Sequence, residues 1–343
     1  MATIKDIARM SGYSIGTVSR VINKRTDVSD QAREKIEEII RENDYQPNTN
    51  AKRLKQTVSS EVSVIVHGNR STFLAFLLEE IQIRMREHGE SINVQFTGEK
   101  EDEVAAAIQI AQNLKPKGFI FLGGNSRDFR DEFSQITLPS VVITIDAENM
   151  AFDNLSSFTT DDEAAADCAV SKLVAEGHRR IGIIGGLPGD YSGERRNDHS
   201  TLRIRGAVSE LEKNGITFDF DRDYEACDFS AESGYQAAKK LMEKSPDLTA
   251  IFAVTDAQAV GVLRELKDRG LSVPEDISVV GFNGVDYVRY SIPRLATIRQ
   301  DAAMLARKSV DDLLLRISFG SPAVYEKIPY EYVDGESAAP PRK

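Results

Sequence analysis

Residues 3–23, TIKDIARMSGYSIGTVSRVIN, carry the pattern of two short helices joined by a tight turn. Thr3 and Asp6 have the spacing of a helix N-cap and a first-turn acid. Gly12 then breaks the first helical pattern, and Ser14 can cap a second helix. Each segment has an apolar stripe at three- and four-residue steps, formed by Ile4, Ile7 and Ala8 and by Val18, Val21 and Ile22. This arrangement predicts a helix-turn-helix.

The outer face of the second helix is small, apolar and hydrogen-bonding rather than highly charged. It carries Ile15, Gly16, Ser19, Arg20 and Asn23. Arg20 can bond O6 and N7 of guanine, Ile15 can contact a thymine methyl group, and Gly16 allows close approach. The face therefore predicts a helix that reads the DNA major groove. The alternative is an ordinary helical hairpin with a solvated arginine.

A third helix and a short basic segment follow. Residues 28–43 have isoleucines at helical spacing that would close a three-helix core, and Pro47 stops the pattern. In residues 48–56, NTNAKRLKQ, the one large apolar side chain is Leu54, so a helix there is unstable alone in water. The segment is either a plain linker or, as the preceding motif favours, a hinge that becomes helical on DNA. In that case Leu54 wedges between base steps of the minor groove, and basic side chains lie near phosphates, namely Lys52, Arg53 and Lys55.

Charge is distributed unevenly along the 343 residues. Residues 1–58 hold 11 Lys and Arg against 8 Asp and Glu, whereas the remainder holds 32 against 46. A basic head and an acidic body suit a DNA-binding head whose partner domain is repelled from phosphates. No apolar run approaches the roughly 18 residues that span a bilayer, and the N-terminus lacks a signal-peptide core. We therefore expect a cytoplasmic protein without a membrane partner, with Cys168 and Cys227 as reduced thiols.

From Glu61 onward, strand patterns alternate with helix patterns. Predicted strands lie at 62–68, 91–96, 118–124, 139–146, 180–186, 224–227, 249–254, 276–282 and, near the end, 328–333. The alternation predicts two doubly wound, mostly parallel α/β lobes with a cleft between them. The segment 294–300 and a long helix at 302–318 follow both lobes, so we expect the chain to cross back to the first lobe.

These patterns predict the domain boundaries. The head is expected at 1–46, a hinge helix and linker at 47–60, a body at 61–335 and a tail at 336–343. Within the body, we expect lobe 1 at about 61–160 and 295–322, and lobe 2 at about 161–292 and 323–335.

Ligands of such sheets bind beyond the carboxyl ends of the strands. The residues expected there are carboxylates, amides, an arginine and an aromatic ring: Asn125, Asp146, Arg203, Phe229, Asp256, Asn283 and Asp286. Such groups can bond paired hydroxyls and stack on C–H groups, as a polyol requires. Taken singly, each residue suits a helix cap or a loop hydrogen bond better. Their common location at strand ends predicts a polyol site.

The sequence lacks the motifs of the usual catalytic sites. GGLPG at 185–189 follows a strand but has neither the dinucleotide fingerprint nor the GK[ST] of a P-loop. The G-x-S-x-G pattern occurs once, as GYSIG at 12–16, but it lies between two helix patterns and not at a strand-to-helix turn, so it does not predict a nucleophile elbow. The histidines are far apart without metal-ligand spacing: His67, His88, His178 and His199. We expect no enzymatic activity, no cofactor and no metal site.

Over nearly its whole length the sequence resembles the lactose-repressor (LacI/GalR) family of bacterial transcription regulators. The matching stretches are 3–23, the YQPN-x-x-AKRLK hinge at 45–55, LVAEGHRRIGIIGG at 173–186, RIRG at 203–206, 249–282 and PRLATIRQD at 293–301. The head and hinge motifs are highly specific. Those of the body are shared with periplasmic sugar receptors and imply a type I periplasmic-binding-protein-like fold.

The resemblance implies roles for individual residues. It implies that Ile15, Gly16 and Arg20 read bases and that Thr17 and Ser19 help hold the DNA backbone. Leu54 is implied to intercalate at the operator centre. The predicted DNA-contacting set is Thr3, Ile4, Ser14, Ile15, Gly16, Thr17, Ser19, Arg20, Asn23, Ala51, Leu54 and Lys55. The predicted effector-binding set is Phe73, Asn125, Asp146, Arg203, Phe229, Asp256, Asn283 and Gln300.

Some positions depart from the family pattern. Ser71-Thr72-Phe73-Leu74 stands where Asn-Pro-Phe-Phe is common, Thr255-Asp256 where Asn-Asp is common, and Asn283-Gly284 where Asp-Asp is common. Because Asn283 can both donate and accept, the effector's identity stays open. The C-terminal GESAAPPRK lacks the apolar heptads of the tetrameric members, which predicts a homodimer on a near-palindromic operator.

The expected function is that of a transcription repressor whose operator affinity is switched by a mono- or disaccharide bound between the lobes. Two alternatives stay open. One is a cytoplasmic sugar receptor without a DNA role, and the other is a purine-type effector on the same fold.

Overall fold

The structure, a computed structural model, describes residues 4–22, 28–43, 61–68, 71–98, 101–186 and 198–342. The chain divides into two compact units, Met1–Thr57 and Val58–Lys343. The predicted hinge segment lies outside the described residues. So do five predicted DNA-contacting residues: Thr3, Asn23, Ala51, Leu54 and Lys55.

The first unit contains the predicted three-helix head. Its helices are α1 Ile4–Ser11, α2 Ile15–Ile22 and α3 Asp30–Glu42. The apolar stripes of all three meet in one core around Ile7, Val18, Val21 and Ile36, each at most 2% exposed. Gly12 has a φ of +76° in the turn, and the Ser14 hydroxyl accepts a hydrogen bond from the Thr17 amide at 3.1 Å. The predicted helix-turn-helix and its N-cap are therefore confirmed.

The second unit begins with the strands of lobe 1. They are β1 Glu61–His67, β2 Ser91–Thr97, β3 Phe119–Leu122, β4 Ser140–Ile143, β5 Leu155–Thr160 and β11 Tyr325–Ile328. These strands form one parallel sheet in the order β11-β5-β4-β3-β1-β2. The central strands are buried along their whole length, as parallel strands covered on both faces require, whereas β2 is partly exposed at the edge.

Lobe 2 has a second six-stranded sheet. Its strands are β6 Ile181–Ile184, β7 Tyr224–Glu225, β8 Ala250–Ala253, β9 Ser278–Asn283, β10 Ala296–Gln300 and β12 Tyr330–Val333. The order is β12-β10-β9-β8-β6-β7, and the pairing is parallel except between β10 and β12. The two sheets confirm the predicted pair of doubly wound lobes.

Helices cover both sheets. Lobe 1 has α4 Thr72–Glu87, α5 Glu103–Leu114, α6 Ser126–Glu132 and α12 Ala302–Phe319, and lobe 2 has α7 Asp162–Ala175, α8 His199–Lys213, α9 Phe220–Asp223, α10 Ala231–Lys244 and α11 Asp256–Asp268. In lobe 1, α4 packs against α12; in lobe 2, α7 packs against α8 and α10 against α11. Side-chain N-caps start many of them, for example Asp198 on α8 and Thr255 on α11. Within the described residues, no helix is long and apolar enough to cross a membrane.

The chain passes between the lobes at three single residues. Asp161 connects β5 to α7, Asp301 connects β10 to α12, and Pro329 connects β11 to β12. The expected lobe boundaries are therefore wrong in two places. Strand β10 pairs with β9 in lobe 2, although residues 295–322 were expected in lobe 1. Strand β11 pairs with β5 in lobe 1, although residues 323–335 were expected in lobe 2.

Sequence periodicity missed some elements. The single strand expected at 328–333 is two strands in different sheets, because Pro329 has no N–H to continue a ladder and interrupts the pattern. Strand β5 and helix α6 were not predicted. The expected tail also packs onto lobe 2, where Ser337 is fully buried and its hydroxyl donates to the Val279 carbonyl at 2.6 Å.

Candidate functional site

The exposed face of α2 is the candidate DNA-reading surface of the head. Gly16 and Arg20 are exposed and Thr17 and Ser19 are half-buried, while Val18 points into the core. Ile4 and Ile15 begin α1 and α2, and Ser14 is the N-cap of α2. The described members of the predicted DNA-contacting set therefore cluster at the start of α1 and along one short helix.

A cleft of about 740 Å³, open to solvent, lies between the two lobes of the body. The lobe 1 wall consists of His67, Gly68, Ser71, Phe73, Leu74, Gly123, Gly124 and Thr144. The lobe 2 wall consists of His199, Arg203, Phe229, Thr255 and Asn283. Most of these residues follow the carboxyl ends of strands or begin helices, which is where open α/β sheets bind ligands.

Arg203 is the fixed cation of the lobe 2 wall. Its side chain is buried, and Nε donates to Asp162 Oδ1 at 2.7 Å while Nη1 donates to the Val254 carbonyl at 2.8 Å. The guanidinium carbon lies 3.8 Å from the centre of the Phe282 ring. Burial raises the pKa of Asp162, and the adjacent guanidinium opposes that rise. These contacts hold the guanidinium in one orientation at the cleft.

Asn283 stands beside this arginine at the end of β9. Its Oδ1 accepts from Arg203 Nη1 at 3.2 Å and from Gln300 Nε2 at 2.9 Å. Because Arg203 and Gln300 both donate to this oxygen, the side-chain amide of Asn283 is oriented with its carbonyl end toward them. Asn283 has a φ of +116°, and Thr144 on the opposite wall has a φ of +80°. Positive φ is unfavourable for both side chains, and such strain is concentrated at functional sites.

The lobe 1 wall has its own pair, formed by half-buried His67 and buried Glu103. His67 Nδ1 lies 3.2 Å from Glu103 Oε2, and Glu103 is only 1% exposed. Glu103 Oε1 also accepts from the Asn125 amide at 2.5 Å. Gly124 has a φ of +119°, and a Cβ there would lie 2.0 Å from Glu103 Oε1, so the pair requires glycine at this position.

Carboxylates gather behind this pair. Oxygen atoms of Asp102, Glu103 and Asp128 lie within 4.8 Å of one another. Asp102 is the N-cap of α5 and accepts from the Val104 and Ala105 amides. Burial, followed by the charges of Glu103 and Asp102, raises the pKa of Asp128 to about 6. Within this cluster, the Asp128 carboxyl therefore ionises at a higher pH than an ordinary aspartate.

His199 and Phe229 form the aromatic part of the lobe 2 wall, with ring centres 5.4 Å apart. His199 Nδ1 is buried and has no hydrogen-bond partner within the described part of the chain. Burial lowers the pKa of His199 to about 4, and the charge of Arg203 adds to this effect. At neutral pH the imidazole is therefore uncharged and can offer a hydrogen bond.

Four of the eight predicted effector residues line the cleft together: Phe73, Arg203, Phe229 and Asn283. The structure does not bring the other four into the lining. Asn125 caps α6 through the Arg127 amide, and Asp146 accepts from the Glu148 amide. Gln300 is buried behind Asn283 and supports its amide.

Asp256 is the fourth residue outside the lining, and its role differs most from the expectation. It is fully buried, Oδ1 accepts from the Thr297 hydroxyl at 2.6 Å, and Oδ2 accepts from the Val285 amide at 2.9 Å. Burial raises the pKa of Asp256 to about 7. This carboxyl therefore fastens the turn after Asn283 to strand β10.

Sequence reasoning missed several lining residues, above all His67, Thr144 and His199. His67 and Thr144 stand near the ends of predicted strands, so strand-end position could have indicated them. His199 is the first residue of α8, and no periodic pattern marks it.

A helix-turn-helix head followed by two doubly wound lobes around a cleft is the architecture of ligand-responsive DNA-binding regulators. Two family models match the chain: bacterial regulatory proteins of the lacI family over residues 3–48, and the periplasmic binding protein-like domain over residues 170–338. The head and the second half of the body therefore match independently.

Individual relatives extend the match along the whole chain. The transcriptional regulator MalR of Clostridium butyricum is 32% identical over 97% of this chain and 98% of its own. The ribose operon repressor of Haemophilus influenzae is 30% identical over 92% of each chain. The structure of a Lac repressor dimer bound to operator and the anti-inducer ONPF matches with a TM-score of 0.78 and 27% identity, covering 98% of this chain and 99% of that one. The chain belongs to the LacI family of bacterial transcription regulators.

Proposed function

We propose that the protein represses transcription by binding a near-palindromic operator as a homodimer in the cytoplasm. The observation that carries this proposal is the exposed face of α2, where Gly16 and Arg20 are accessible above a closed three-helix core. Such a face can enter the major groove, with Arg20 bonding guanine and Gly16 allowing close approach. Two copies related by a two-fold axis would read two half-sites.

The proposed effector is an uncharged mono- or disaccharide bound in the cleft. Support comes from the charge of Arg203 in the lobe 2 wall, which already pairs with buried Asp162. A neutral ligand preserves this balance, whereas an anion or cation would leave one buried charge uncompensated. Aromatic rings on opposite walls, Phe73 and Phe229, provide faces for the C–H groups of a sugar ring.

The proposed switch is a change in the angle between the lobes. Ligand contacts to both walls favour one lobe angle, and that angle sets the separation of the two hinge segments in the dimer. Paired hinge segments, with Leu54 at the operator centre, favour DNA binding, and separated ones favour release. Coupling of this kind is typically about 1–3 kcal/mol, or roughly 5- to 150-fold in DNA affinity.

Selection from a pool of random duplexes tests the proposal. The purified protein is incubated with the pool alone and with maltose, cellobiose, ribose, hypoxanthine or guanine, and bound DNA is sequenced. We expect a near-palindrome whose retention changes with one sugar. A response to a purine alone would replace the sugar by the purine-type effector. Sugar binding without enrichment of any sequence would favour a sugar receptor instead.

Arg20→Ala tests the reading surface. Loss of one bidentate base contact should weaken binding to the selected duplex by about 1–3 kcal/mol and relax selection at one base pair in each half-site. Arg41 is exposed on α3, so Arg41→Ala makes the same change in charge and is the matched control. Equal losses from both substitutions, with unchanged base preference, would refute base reading by Arg20.

A further inference from the structure

Gln258 is a fully buried amide in the first turn of α11, outside the cleft lining. Its Nε2 donates to the Cys227 carbonyl at 3.2 Å and to the Asp228 carbonyl at 3.0 Å. Its Oε1 accepts from the Thr255 hydroxyl at 2.9 Å. Each end of the amide therefore has protein partners, and together they join the start of α11 to the loop that follows β7.

Close packing prevents the amide from moving away. Gly185, at the end of β6, has a φ of +124°, and a Cβ there would lie 2.7 Å from Gln258 Oε1 and 2.3 Å from Val254. A side chain at position 185 would therefore push Gln258 aside, and glycine avoids this contact. The amide is enclosed between the ends of three neighbouring strands, β6, β7 and β8.

The loop held by Gln258 leads directly into the cleft. Cys227 donates its amide to the Gly186 carbonyl at 3.0 Å, and the Asp228 carbonyl also accepts from the Ser233 hydroxyl at 2.5 Å. The next residue is Phe229, whose ring packs on His199 and lines the cleft. Two of the contacts that fix the residue before Phe229 therefore come from side chains of α11 and α10.

We propose that Gln258 is a positioning residue for the effector site, because it holds the 227–229 loop so that the Phe229 ring stays against His199 in the lobe 2 wall. This inference rests on the proposed role of the cleft. Gln258 is not itself in the lining: it bonds the lining residue Thr255 and reaches Phe229 through the 227–229 loop. Loss of its two donors leaves two carbonyls without those partners and lets the ring move into solvent.

A single-tryptophan reporter tests the position of the ring without any effector. The natural chain contains no tryptophan, so Phe229→Trp gives an emission signal from this site alone. Acrylamide, a neutral quencher, measures its exposure. We expect Gln258→Met in this background to shift the emission to longer wavelength and to increase the quenching constant roughly two-fold or more, since the loop loses its restraint.

Gln258→Glu provides a second variant with a distinctive signature. A carboxylate cannot donate to the two carbonyls, whereas the protonated acid can donate to one of them, and burial raises its pKa. In the Phe229→Trp background, quenching of this variant should be high at pH 8 and fall toward the parent value as pH is lowered to about 5. The Gln258→Met variant should show no such recovery, and the Phe229→Trp parent measured at each pH corrects for other titrating groups.

Thr249→Val is the matched control for a general loss of stability. It removes a hydrogen bond of the same lobe, between the Thr249 hydroxyl and His178 Nδ1 at 2.9 Å, outside the cleft lining. Quenching in this control should equal the parent value even if its melting temperature falls as far as that of the Gln258 variants. Unchanged quenching in both Gln258 variants, or an equal rise in the Thr249→Val control, would overturn the proposal.

The outcome is separable from that of the proposed function. Should the duplex pool yield no sugar-responsive sequence while the Gln258 variants release the ring, the positioning role stands and the effector role of the cleft fails. Should Phe229→Leu abolish a sugar response while the Gln258 variants leave the ring in place, the effector role stands and the positioning role fails.

Discussion

The two walls of the cleft hold charge in different ways. In the lobe 2 wall, Arg203 carries a permanent charge, and bonds to a buried acid, a backbone carbonyl and an amide fix its guanidinium. In the lobe 1 wall, His67 faces Glu103 at the edge of a carboxylate cluster in which the pKa of Asp128 is raised to about 6. The charge of Arg203 is therefore the same at any physiological pH, whereas the charge behind the lobe 1 wall changes with the protonation of Asp128.

If the cleft binds the proposed effector, we expect this difference to give the two walls different parts in the response. A prearranged arginine and amide can orient a ligand on lobe 2 before the lobes change angle, because little reorganisation is needed there. The lobe 1 wall can add contacts once lobe 1 approaches.

Removal of the permanent cation should have the largest effect. Arg203→Met leaves Asp162 buried without its partner, which should lower the free energy of unfolding by about 3–5 kcal/mol. Urea unfolding measures the loss. The double variant Asp162→Leu, Arg203→Met removes both charges and should recover at least half of it. A single variant as stable as the natural chain would mean that the pair is not buried in solution.

The His67–Glu103 pair should matter less. Glu103→Ala leaves the Asn125 amide and His67 Nδ1 without this partner, which should lower the free energy of unfolding by about 1–3 kcal/mol. Glu103→Gln keeps an acceptor for the Asn125 amide and should lose less. The ranking would be refuted if Glu103→Ala cost as much as Arg203→Met in the same urea measurement.

The aromatic part of the lobe 2 wall predicts a pH effect of its own. Because the pKa of His199 is lowered to about 4 in the folded protein, the unfolded chain binds more protons between the ordinary histidine pKa and that value. The free energy of unfolding should therefore fall as pH drops from about 6.5 to 4, by on the order of 3 kcal/mol from this residue. His199→Asn should flatten the pH profile in this interval. An identical slope in the variant would refute the assignment.

Asp128→Asn should have the smallest effect and the opposite sign. The pKa of Asp128 is raised to about 6, so ionisation of this carboxyl destabilises the fold as pH rises through that value. The variant should melt at a higher temperature than the natural chain at pH 8 and at nearly the same temperature at pH 4. Scanning calorimetry at the two pH values decides this. A higher melting temperature at pH 4 alone would contradict the proposed repulsion by Glu103 and Asp102.

Much of this architecture follows from local sequence patterns. The head was predictable because its helices have clear apolar stripes and a glycine turn, and the sheets were predictable because their central strands are continuous apolar runs. Arg203, Phe229 and Asn283 were predicted because they follow strands or begin a helix. Strand β5 was missed because its LSSFTT sequence is mostly polar and resembles a loop.

The remaining features depend on contacts distant in the sequence. Asp256 appeared to be a ligand group because it follows a strand, yet its partners Val285 and Thr297 come from later strands and turns. His199 enters the lining through its packing on Phe229, thirty residues later in the chain. Strand β10 belongs to lobe 2 because of its pairing with β9, which no local pattern reveals.

Asp161, Asp301 and Pro329 each form a whole crossing between the lobes. One extended residue spans at most about 3.6 Å, so the ends that these residues join cannot be pulled apart. The three crossings therefore act as short tethers that limit how far the two lobes can separate. A loop of glycine and serine residues inserted at position 329 would lengthen one of these tethers.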